Sequence, residues 1–356
     1  TSTNSQNVAI GYRAGYNNTG GDVVFVGHET GYNNAGNGNT AVGHRAGMLN
    51  TTGANNTSLG LGANRYGTTG ASNTALGYSA LFTNSTGSQN TAVGFNALNQ
   101  CTHNYNTAVG NQALEDATSA QYNTAVGHDC MREITTGGHN TAVGQGALDS
   151  ATTASSNCAF GVGAANDVTD GTYNVVLGYR AGGYNTVLTG GHKNIVIGSD
   201  SYTSSSGANS QIVIATYQSG GKGNSTGFIN PNGGGVYQGN NSTTWSQTSD
   251  IRIKKNVVDN NTGLDKINQI QVRNFEYKTE EEIKVDSPEL ADVSGSAVVN
   301  KEGIQLGVIA QEIETILPDI VKTEDTGVKS VDPDNLTWYL VNAVKELSAR
   351  LDAAGL

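Results

Sequence analysis

The sequence predicts a mostly β protein: a parallel β-roll or β-solenoid of 16–17-residue coils, then a small α+β domain ending in a coiled-coil helix. Three observations lead there. The phrase Asn-Thr-Ala-Val-Gly, or a variant, returns at a near-constant interval through residues 1–215. Composition changes abruptly near residue 248, with 17 charged residues in the first 248 positions and 32 in the last 108. Near the end, Leu340, Val344, Leu347 and Leu351 are spaced four, three and four apart, which is a heptad seam.

The closing glycine of the phrase runs from Gly11 to Gly198 in steps of 16 or 17, with one step of 20 after Gly178, and Ala215 closes a thirteenth copy. A fixed period of this size signals stacked repeats. Each copy offers one short strand with alternating apolar positions, a second small-residue segment and a Gly/Asn/Ser/Thr turn. No copy buries a core alone, so the copies stack in register, strand upon strand. At about 4.8 Å per strand, thirteen coils make a rod of roughly 60 Å. Asn39, Asn56, Asn73, Asn90, Asn106, Asn123 and Asn140 open successive phrases and are expected to form a structural side-chain ladder. A lone chain this poor in large apolar residues is expected to need other chains to cover the Ala/Val/Ile/Leu side of its coils.

Composition narrows the function classes. The net charge of −11 comes mostly from the last 108 residues, and no basic run suggests nucleic-acid binding. No apolar run reaches membrane-spanning length and no signal peptide is visible, so membrane insertion is not expected. The repeat already occupies the first residues, so a fragment of a longer protein is expected. Cys101, Cys130 and Cys158 are odd in number and lack CxxC spacing, which argues against a disulfide framework or zinc site. His28 and His44 follow the glycine in adjacent coils, but without a third ligand they are expected to be surface residues. Neither metal nor cofactor is expected.

Residues 216–248 lose the period and become a Gly/Asn-rich connector or distal tip with Phe228, Tyr237 and Trp245 along it. Packing where chains meet and contact with sugars are both open to those aromatics. The stretch Thr248-Ser249-Asp250-Ile251-Arg252-Ile253-Lys254-Lys255-Asn256 then opens the charged domain, residues 249–356. A serine hydroxyl becomes nucleophilic when a neighbour takes its proton. A lysine does so when burial or nearby cations favour its neutral form, and Arg252 and Lys255 are close in sequence. On a regular strand Ser249 would share a face with Lys255 and not Lys254.

Two resemblances follow. The Asn-x-Ala-Val-Gly coils resemble the parallel β-rolls of trimeric autotransporter heads and repeats of phage tail fibres, although those use about fourteen residues per coil. Ser249-Asp250-x-Arg252-x-Lys254-x-Asn256 is similar to the opening motif of the intramolecular chaperone domain that ends phage tail spikes, endosialidases and tail fibres. Gly263-Leu264-Asp265-Lys266-Ile267, Val272–Tyr277, Gly307–Ile313 and the helix over Leu336–Leu351 resemble later landmarks of that family in order. Asp332-Pro333-Asp334 departs from its pattern.

That resemblance implies a homotrimer whose C-terminal domain templates the upstream β-structure and then cuts itself off between Thr248 and Ser249. It implies Ser249 as nucleophile and Lys254 as its partner, with Asp250, Arg252, Lys255 and Asn256 as supporting residues. For Lys254 to serve, the segment bends or the lysine comes from a neighbouring chain. The implied setting is a virion tail fibre assembled in the host cytoplasm, bound to an upstream fibre or baseplate protein and to a host cell-surface receptor, expected to be a glycan. A bacterial trimeric adhesin with the same parts is the first alternative. A tail-associated glycan depolymerase is the second, although Glu115/Asp116 and Asp167/Asp170 are the only close acidic pairs in the repeat and such enzymes place paired carboxylates in a groove.

Overall fold

The computed structural model describes residues 6–183, 185–231, 235–239, 246–247, 249–293, 299, 301–324 and 327–355. The chain divides into two compact units, Thr1–Asp250 and Ile251–Leu356.

The first unit is a β-solenoid. Among the described residues, fourteen short strands run from β1 (Val8–Ile10) to β14 (Gly227–Asn230), each paired in parallel with the next. Register is copy on copy: Thr91 faces Thr107, Ala92 faces Ala108 and Val93 faces Val109. The three-residue strand explains the sequence pattern. Side chains alternate across it, so the central alanine points into the coil and its flanking Thr and Val point out. Ala92, Ala108, Ala125 and Ala142 are fully buried. A second buried row comes from the alanines three residues after the phrase glycine, such as Ala97 and Ala113, followed by Leu98, Leu114, Met131 and Leu148.

The phrase glycine closes the strand with a left-handed turn. Gly94 sits at φ +142°, and a Cβ there would lie 2.1 Å from the carbonyl oxygen of Gly110 in the next coil. Only glycine combines that dihedral with that approach.

The single chain thus closes its own interior. The expectation that Ala and Val share one side, to be covered only by other chains, is corrected: alternation sends Ala inward and Val outward. What stays outside is an apolar row, including Leu59, Leu76, Val109, Val126, Phe160 and Ile214. Beside it, rings stack from coil to coil, with His28 and His44 5.1 Å apart and Tyr105 4.8 Å from Tyr122. Among the described residues no cluster of three or more His, Cys, Asp or Glu side chains is placed to hold a metal ion.

The connector also differs from its composition. β14 continues the parallel stack on β13 (Ile212–Tyr217), and β15 (Val236–Gln238) and β16 (Ser246–Gln247) then fold back antiparallel. Phe228 pairs with Val213, occupies the inward slot and is 5% exposed, so it ends the core and offers no ring to a sugar. Phe25 fills the same slot near the other end. Trp245 lies outside the described residues.

The asparagines that open each phrase are buried and join coils. Asn123 Oδ1 accepts from the backbone N–H of Asn140 at 3.0 Å, and Asn123 Nδ2 donates to the carbonyl of Gly137 at 3.0 Å. Asn56, Asn73, Asn90, Asn106 and Asn140 repeat the pattern, each receiving the next coil's N–H.

The second unit is small. Among the described residues, two antiparallel pairs, β17 (Arg273–Phe275) with β18 (Gln305–Gly307) and β19 (Val321–Thr323) with β20 (Lys329–Val331), accompany four α-helices. These are α1 (Leu264–Ile267), α2 (Glu280–Asp286), α3 (Ala310–Ile316) and α4 (Pro333–Ala354). Its core centres on Ile313, Leu317 and Ile320. Asp332-Pro333-Asp334 starts α4: the Asp332 carboxylate accepts from the Asp334 N–H at 3.0 Å and Pro333 takes the first helical position, where a missing N–H costs nothing.

Two outcomes are expected in the solenoid. Asn123→Ala leaves the buried N–H of Asn140 and carbonyl of Gly137 without side-chain partners, at a cost of about 2–5 kcal/mol. Thermal unfolding followed by circular dichroism should show a lowered midpoint. Burial pushes the Asp149 carboxyl up to about 6, against the pull of the Arg132 guanidinium, whose Nε lies 3.3 Å away. The folded chain therefore keeps a proton that the unfolded chain releases near pH 4. Stability contributed by that proton is lost as pH rises from about 4 to about 6. Asp149→Asn should abolish that loss, so its melting temperature gains on wild type across the window and the gap stays constant above it.

Candidate cleavage site

Ser249 and Asp250 close the first unit, and Ile251–Asn256 open the second. Ser249 is exposed and Asp250 half-buried, while Thr248 lies outside the described residues. Ile251–Ile253 form a turn of 3-10 helix, and the Lys254 N–H donates to the Ile251 carbonyl at 3.1 Å. The segment is therefore not a strand here, and the period-two argument that would pair Ser249 with Lys255 does not apply to it. The turn is tight because one hydrogen bond spans three residues. Arg252, Lys254 and Lys255 are all exposed, and Asn256 takes a left-handed conformation at φ +54°, which asparagine tolerates better than most residues.

Downstream the chain runs without regular structure to α1, and its end is tied to α4. The Asn342 amide donates to the carbonyls of Asn260 at 2.7 Å and Thr262 at 3.1 Å. The Leu264 N–H donates to Glu346 Oε2 at 3.0 Å. Gly263 lets the two segments meet, since a Cβ there would lie 2.5 Å from the Ala343 nitrogen. Tyr339 donates to the Asp319 carboxylate at 2.6 Å, and that carboxylate beside it pushes the phenol above its ordinary range. Asn342 and Glu346 lie about ninety residues beyond the motif, and no local pattern singles them out; only the fold brings them here.

Residues 249–322 match the family model Peptidase_S74, chaperone of endosialidase. No curated protein and no solved structure matches the chain. The chaperone match opens on Ser249 itself and ends before α4, so the terminal helix lies outside it. With the β-solenoid ahead of it, the match fits a tail fibre that carries a C-terminal intramolecular chaperone domain.

Glu115 and Asp116 of the repeat are engaged in the coils. Glu115 accepts from Asn96 at 2.8 Å and Gln112 at 2.7 Å. Asp116 accepts from Gln100 at 2.6 Å, and burial raises its carboxyl above the usual range. The Asn96 and Gln100 bonds join one coil to the next, the Gln112 bond lies within a coil, and together they give both carboxylates a structural role.

Proposed function

We propose that this chain is a phage tail-fibre segment that binds a host surface receptor, and that its C-terminal unit assembles three chains, templates the solenoid and then cuts itself away. The observation that carries the reading is the position of the chaperone match, which begins at the motif serine where the repeat composition ends.

The cut proceeds as an acyl shift followed by hydrolysis. An uncharged Lys254 amine takes the Ser249 hydroxyl proton as Oγ attacks the Thr248 carbonyl carbon. The Thr248–Ser249 C–N bond breaks, the Ser249 nitrogen takes a proton, and Thr248 is held as an ester on Oγ. Water hydrolyses that ester to a Thr248 carboxylate and a Ser249 that keeps its hydroxyl and gains a free amine. Backbone N–H groups must hold the oxyanion that forms at the Thr248 carbonyl. Arg252 and Lys255 supply positive charge around the lysine, and Asp250 and Asn256 frame the turn.

Assembly uses the surface that the single chain leaves apolar. The outward row of the solenoid is exposed, from Leu59 at 44% to Val126 at 36%. Fourteen rungs about 4.8 Å apart make a strip about 65 Å long. With two outward residues per strand it offers several hundred Å², on the scale of the roughly 800 Å² per partner in a specific interface. In the chaperone, Leu340, Val344, Leu347 and Leu351 are likewise exposed along one side of α4, and two heptads are marginal without partner helices.

Freshly expressed wild type should yield fragments of 248 and 108 residues by denaturing electrophoresis and intact mass. Ser249→Ala and Lys254→Ala should stay full-length, and Lys255→Ala should still cut. An uncut wild type would sink the peptidase half of the reading. Assembly is checked separately by light scattering on Ser249→Ala: a trimer is expected, and adding Val109→Lys with Val126→Lys should release monomers with unchanged circular dichroism.

A further inference from the structure

The terminal helix has two sides with different partners. One side carries the exposed row Leu340, Val344, Leu347 and Leu351. The other carries Asn342, Ala343, Glu346 and Arg350, which three- and four-residue spacing places on one helical face. That face holds residues 260–265. Asn342 grips two carbonyls, Ala343 meets Gly263 and Glu346 takes the Leu264 N–H. Arg350 lies 3.4 Å from Asp265. Asn260 tightens the same turn by accepting from the Thr262 N–H at 2.9 Å.

The clasp grips the stretch that follows the cleavage motif. Residues 254–259 have no regular structure, and this anchor fixes their downstream end. A reaction that needs one geometry of Lys254 is slowed when the lysine's own segment is unanchored, because its conformational freedom must be lost during the reaction. The bond to Glu346 is charge-assisted, the stronger class of hydrogen bond. Its acceptor comes from an element that the chaperone match does not reach.

We infer that the inner face of the terminal helix is a positioning device for self-cleavage, with Asn342 and Glu346 as its positioning residues. The inference rests on the self-cleavage reading above. It assigns the helix a role separate from joining chains: its outer row assembles and its inner row holds the downstream end of the reacting segment.

The test uses the full chain and follows loss of the uncut species with time for wild type, Asn342→Ala, Glu346→Ala and Glu346→Gln. Assembly is read in parallel by light scattering, with each change placed on Ser249→Ala. The expected result is cleavage about tenfold slower for both alanine variants, with assembly unchanged. Glu346→Gln, which keeps an oxygen to accept from Leu264, should cut close to the wild-type rate. Alanine variants that cut as fast as wild type would overturn the clasp and leave self-cleavage standing. Slow cutting with lost assembly and no rescue by glutamine would overturn it too, by reducing these residues to fold maintenance. An uncut wild type would overturn both readings, and its own lane distinguishes that case.

Discussion

Everything in the solenoid depends on bonds between one coil and the next. The backbone donors and acceptors of each three-residue strand are met by neighbouring coils, and the buried asparagine oxygen completes the junction by receiving the next coil's N–H. A coil removed from its neighbours would bury only an alanine or two and one larger side chain, while exposing a full set of peptide groups. Peptide groups buried without partners are costly, so order exists only in the stack. Where the parallel stack gives way to the antiparallel β15, the inward slot is filled by the larger Phe228.

The period, the strand and the coil length were legible because each copy states the same local chemistry. Which side of the strand faces inward was less legible. Hydrophobicity alone favours valine for the interior, yet most coils take alanine and leave valine outside, with valine turned inward at Val176, Val196 and Val213. The connector misled for a related reason. Its Gly/Asn/Ser composition resembles a linker, but one phenylalanine in the alanine slot and a parallel pairing make its first part another rung. In the chaperone, the helix before Pro318 and the terminal helix follow from local signals. The 3-10 turn at Ile251–Ile253 does not, and neither does the grip of Asn342 and Glu346 on residues 260–264. Contacts between residues about eighty positions apart leave no periodic trace in a single sequence.

The two units hold themselves together differently. The solenoid carries a continuous row of fully buried side chains, whereas among the described residues the chaperone unit buries Ile313, Leu317, Ile320 and Ala343. Large side chains such as Trp338, Leu306 and Val258 stay in solvent. A unit this lightly packed gains much from partner chains, and the matched family is one of chaperones.

The coils are not all one length. Reading upward, the glycine steps run 16, 16, 17, 17, 17, 16, then 17 four times, then 20 and 17. The ladder bridges the long step as it does the others, with Asn194 N–H reaching Asn174 Oδ1 across 20 residues at 3.0 Å. That irregular sequence of lengths works as a scale with unequal divisions. Two chains laid side by side and offset by one rung would set the long coil of one against an ordinary coil of the other, and the short coils would miss as well. Near-identical phrases make the rungs interchangeable, but the spacings between them number each rung.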